Sequence, residues 1–200
     1  MTRFHLLFLV LVLAIAVPFA TADTIQLNNT NLPGITNIGT VTLTQQGANV
    51  LVQFSANSGY SLKLAGGDLL FNSSATLTAG SISNIMIDGT AYTGGFKLTM
   101  NQTRGGFGQF SYDLVGIKLP HGVVSATTIS FVISNTTLAA FQPYKFGVHF
   151  CVGGGTGCGT GQTGFGSNGP PSTVPEPGTL SLLGTGIVGL AGFFRRRLLS

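Results

Sequence analysis

Tryptophan is absent from this 200-residue chain, cysteine occurs twice, and Asp and Glu together number five. Charged residues make up 7% of the sequence, where soluble domains usually carry about 25%. So few acids count against glycosidase chemistry, which needs two carboxyls across a cleft. No two of them lie close in sequence. The histidines are His5, His121 and His149. A hydrolase built from His121 or His149, Asp113 and a serine is disfavoured, since no Gly-x-Ser-x-Gly elbow presents a nucleophile. Asp113 is expected on a strand and able to face solvent. The catalytic residues, metal ligands and cofactors expected are therefore none. The formal net charge of +4 excludes little, because Arg3, Arg195, Arg196 and Arg197 sit at the extreme ends. The remainder is nearly neutral with no basic stripe, so no nucleic-acid partner is expected.

What is abundant is glycine, hydroxyl and amide residues, and alternation of period two. Phe146, Val148 and Phe150 alternate with Gly147 and His149. Phe110, Tyr112 and Leu114 alternate with Ser111 and Asp113, and Ile129, Phe131 and Ile133 with Ser130 and Val132. Such runs are half-buried strands. Turn pairs such as Gln46-Gly47, Asp88-Gly89 and Gly94-Gly95 separate them. Asp88-Gly89 is a tight-hairpin candidate. Many short strands and no capped helical period predict one all-β domain over 23–152, a single antiparallel β-sandwich of Greek-key or jelly-roll kind. The stretch 153–173 is rich in glycine and reads as a flexible linker. It is not a phosphate loop, since no lysine and no helix follow it.

Both ends carry targeting features. Arg3 precedes the apolar run 6–17, LLFLVLVLAIAV, and Ala20 and Ala22 stand at the −3 and −1 positions before Asp23. A basic start, a short apolar core and an A-x-A site predict a secretory signal peptide over 1–22. Export through the Sec translocon and a cut by signal peptidase follow. At the other end, VPEPGTLSLLGTGIVGLAGFFRRR places Val174, Pro175, Glu176 and Pro177 before an apolar run closed by Arg195, Arg196 and Arg197. The prolines forbid helix through the triplet and leave it extended. As a helix, 180–194 would reach about 22 Å, short of the roughly 30 Å hydrocarbon core. The arginines form a membrane stop that keeps the terminus cytoplasmic. Body outside and tail through the inner membrane is the topology both ends predict.

Triplet, apolar run and basic stop in this order resemble the PEP-CTERM sorting signal of Gram-negative bacteria, over about 174–197. The resemblance implies an exosortase-type membrane enzyme as partner. It also implies transient residence in the inner membrane, then delivery to the cell surface or extracellular matrix. A structural role with exopolysaccharide or biofilm is implied by the resemblance alone. The rival reading is a carbohydrate-binding module, with Tyr60, Tyr92, Tyr112 and Tyr144 as candidate stacking rings.

Cys151 and Cys158 are the sharpest pair in the body. Two cysteines close together in an exported chain predict a disulfide. A zinc site with His149 is the weaker alternative, because three ligands are one short of the usual four. Asn28, Asn72, Asn101 and Asn135 begin N-x-S/T triplets, read here as polar turns and edges.

Overall fold

The computed structural model describes residues 21–119, 124–153, 158 and 161–169. They form an all-β body of fourteen strands and two short 3-10 turns. The strands are β1 Ala22–Leu27, β2 Asn29–Thr30, β3 Gly39–Gln46, β4 Asn49–Ala56, β5 Tyr60–Lys63, β6 Asp68–Phe71 and β7 Ile82–Ile87. They continue as β8 Thr90–Ala91, β9 Lys97–Thr103, β10 Gln109–Val115, β11 Ser125–Ala126, β12 Thr128–Ile133, β13 Phe146–Val152 and β14 Thr163–Ser167. The helical turns are Ala79–Ser81 and Leu138–Phe141. No described helix is long and apolar enough to cross a membrane.

One sheet has the order β1-β3-β4-β12-β7-β8 and the other is built around β13. Every pairing is antiparallel. Along one edge of β13 run β5, with Leu62 opposite Phe150, and then β6, with Phe71 opposite Phe146. The two strands are one line interrupted at 64–67, where the Leu64 and Ala65 N–H groups donate to the Val124 carbonyl. Beyond β6 lie β10 and β9, and β11 continues that row beside β5. On the other edge of β13 lie β14 and then β2.

Alternation decides which residues enter the core. Val50, Val52 and Phe54 of β4, and Ile129, Phe131 and Ile133 of β12, are fully buried. They face Leu69 and Phe71 of β6 and Phe146, Val148 and Phe150 of β13 in one cluster. Rings cross the gap between the sheets: Phe54 meets Phe146 edge-on at 6.1 Å, and Phe71 meets Phe131 at 6.1 Å. Aromatic contacts of this spacing add about 0.5–1.5 kcal/mol each beyond burial. The expected all-β body of packed antiparallel sheets is present.

Two expectations need correction. The stretch 153–173 is not linker throughout, since β14 lies within it and pairs with both β13 and β2. The glycines of β14 are there for close approach, not for flexibility. A Cβ on Gly164 would come within 2.7 Å of Leu32 Cγ, and one on Gly166 within 2.6 Å of Ile38 Cδ1. The second correction concerns β10. Tyr112 and Leu114 join the main core, but Phe110 turns to a second cluster with Leu70, Phe107 and Phe165.

Candidate functional site

The second cluster lies on the outer face of the β13 sheet, beside Asp68, Arg104, Asp113 and His149. His149 of β13 lies opposite Phe165 of β14, and the two rings stack at 4.5 Å. The turn joining β9 to β10 folds over this face. Gly105 sits there at φ +60 against the Phe165 side chain, leaving no space for a Cβ. That turn carries Arg104 between two carboxylates: its Nε donates to Asp68 Oδ1 at 3.4 Å, and Nη2 lies 3.6 Å from Asp113 Oδ2.

Asp113 does not face solvent. It is completely buried, and no hydrogen-bond donor among the described residues reaches either carboxyl oxygen. Burial, reinforced by the neighbouring Asp68 charge, pushes its pKa up to about 8, with Arg104 pulling the other way. At neutral pH it holds a proton. Burial also lowers the His149 pKa; Lys63 adds to this and Asp68 opposes it. His149 Nδ1 is buried with no hydrogen-bond partner among the described residues. The two acids that sequence spacing kept apart, Asp68 and Asp113, thus meet in space. Arg104, ion-paired to Asp68 and lying against the protonated Asp113, staples the turn to the sheet. Neutral Asp113, lying behind Arg104, is not placed as a base toward solvent.

Cys151 and Cys158 form the expected disulfide, with Cα atoms 5.3 Å apart. The ring ties the end of β13 to the approach of β14. Beside it the Val152 N–H donates to the Gln162 carbonyl at 2.8 Å. Both sulfurs are therefore committed, and no cluster of three or more His, Cys, Asp or Glu able to hold a metal occurs among the described residues.

The four tyrosines do not form a stacking platform. Tyr112 is buried, and its hydroxyl donates to the Ala75 carbonyl while accepting from Leu77 N–H. Tyr60, Tyr92 and Tyr144 are partly buried against the main core. The Tyr92 hydroxyl donates to Gly95 and accepts from Lys118 N–H; the Tyr144 hydroxyl donates to Asp23 Oδ2. A shallow cavity of about 210 Å³ lies elsewhere, lined by Asn72, Ser73, Ser74, Ser111 and Gln142 together with Ala140, Phe141 and Pro143. Its lining mixes hydroxyl and amide side chains with these three apolar residues, carries no charge, and had no signal in the sequence patterning.

Of the targeting residues, Ala22 is the first residue of β1 and pairs with Thr44. His121, Ala20, Val174, Pro175, Glu176, Pro177, Arg195, Arg196 and Arg197 lie outside the described residues.

The folded part is thus an all-β, two-sheet body closed by one disulfide, and its chemistry names no substrate. The tail is more specific: residues 173–197 match the family model of the PEP-CTERM protein-sorting motif. That motif implies export, processing by an exosortase, which is a membrane enzyme, and sorting at the membrane toward the cell surface. No curated protein and no solved structure matches the chain.

Proposed function

We propose that this is a non-enzymatic, exported protein, delivered by an exosortase-type system to the cell surface or extracellular matrix, where its β body has a structural, exopolysaccharide-associated role. The observation that carries the reading is the sorting motif over 173–197. The disulfide agrees with an oxidising destination. The signal peptide places the body outside, and the arginines hold the tail in the membrane. Each arginine costs about 2.5–3.5 kcal/mol at the membrane centre on insertion scales. The Ala22–Asp23 bond lies inside β1, so signal peptidase must cut before the first residues of that strand pair with β3.

Two variants test the sorting step. Replacing Pro175, Glu176 and Pro177 by alanine should leave topology intact and trap uncut protein in the inner membrane. Replacing Arg195, Arg196 and Arg197 by serine should let uncut protein slip through. Cell fractionation with immunoblotting reads both. Surface protein with a shortened C-terminus from the alanine variant would defeat the reading.

A second reading, carbohydrate binding, draws on the cavity beside Ser111 and Gln142 rather than on the tyrosines. Its uncharged donors and acceptors suit a neutral sugar. Titration calorimetry with matrix polysaccharide, comparing wild type with Ser111→Phe, tests it; equal heats from the two proteins would remove it.

A further inference from the structure

The body ends in a tightly held exit. The Phe146 N–H donates to Asn168 Oδ1 at 2.7 Å, and Asn168 Nδ2 donates to the Tyr144 carbonyl at 2.9 Å. Ser167 Oγ donates to the Phe146 carbonyl at 2.7 Å and is fully buried. The Tyr144 hydroxyl, in turn, donates to Asp23 Oδ2, and Gln142 Nε2 donates to that hydroxyl at 3.3 Å. One residue, Tyr144, therefore clasps the start of the body at Asp23 and its exit at Asn168.

Fixing the exit at Asn168 shortens the tether. Only residues 169–174 separate it from Pro175 of the triplet. Seven Cα steps span at most about 25 Å. A body of this length is roughly 35–40 Å across. It therefore cannot turn its opposite end toward an enzyme working at the triplet. That opposite end is identifiable. Gly59 accepts a hydrogen bond from Gly153 N–H just past the end of β13. The strand, Phe146–Val152, is about 20 Å long at roughly 3.3 Å per residue.

We propose that the Asp23–Tyr144–Asn168 end of the body is the surface that faces the membrane enzyme during processing, and that the enzyme cuts a body already folded through β14. The proposal rests on the exosortase reading above. It adds a named face and a spacing rule: the folded edge of the substrate lies within about 25 Å of the scissile segment.

The test uses the full chain expressed with its processing enzyme. A photo-crosslinking amino acid replaces exposed Gln142, at the clasped end, or exposed Ser58, at the far end. The expected result is crosslinking to the enzyme at least fivefold stronger from position 142 than from position 58. Inserting twenty Gly/Ser residues after Gly169 should bring the two positions close to equal while cutting continues. Equal crosslinking with the native tether would overturn the proposal, as would crosslinks from position 142 to lipid alone. If the chain is neither cut nor held in the membrane, the sorting reading itself fails, and the proposal with it.

Discussion

Asp113 and Asp88 show two carboxylates driven in opposite directions by their surroundings. The Asp113 pKa, pushed up to about 8, means that the folded state holds a proton that the unfolded chain releases near pH 3.8. Between those values the folded state binds more protons, so stability falls as pH rises. Asp113→Asn should flatten that slope and raise the melting temperature relative to wild type at pH 8, as scanning calorimetry from pH 5 to 9 would show. Asp88 sits at the β7–β8 turn with φ 47. Its Oδ1 accepts from the N–H and hydroxyl of both Thr127 and Thr128. Burial opposes ionisation there, but these bonds outweigh it and hold the pKa below 3.8. The stabilisation is present above pH 3.8 and is lost as pH falls through the lowered value. Asp88→Ala should cost about 1–2 kcal/mol in urea unfolding at pH 7, and Asp88→Asn less, since asparagine tolerates the left-handed turn. The Asp-Gly turn itself was legible in the sequence. The burial of Asp113 was not, because Asp68 comes from another strand, Arg104 from a turn, and Phe110 departs from the face that alternation assigned to it.

At the scale of elements, β14 is where pattern and packing part company. The strand reads Thr-Gly-Phe-Gly-Ser, with one apolar side chain, and nothing in that composition separates it from the glycines before it. Contacts from distant Leu32 and Ile38 make glycine necessary on both sides of Phe165, and no local signal carries that. By contrast β4, β12 and β13 were legible, because each buries a full face of large apolar residues. The disulfide closes a loop of sequence separation 7, worth about 2.5 kcal/mol by loop closure. Replacing both cysteines by alanine should lower stability by about that amount. In hydrogen exchange the loss of protection should concentrate in β14 rather than β4. Uniform loss across both sheets would show that the ring does not act locally. Gly105→Ala should cost roughly 2 kcal/mol or more, combining a left-handed backbone with the Phe165 contact. Thermal melts would check it, and a neutral result would contradict the close packing of that turn.

For the molecule as a whole, the sorting information shown lies in the tail, while the body's role is a separate question. The tail was legible because sorting is read from a linear order of residue types, and 173–197 match the sorting motif. The chemistry of the body was hardly legible, because a sheet assembles its outer face from strands far apart in sequence, as Asp68, Arg104, His149 and Phe165 do here. Intact and peptide mass spectrometry of protein extracted from the cell surface tests export and tail processing together. The surface form is expected to start at Asp23, end close to the 175–177 triplet and be lighter by two hydrogens for the Cys151–Cys158 bond. A surface form that still extends to Ser200, or one confined to the cytoplasm and beginning at Met1, would contradict it.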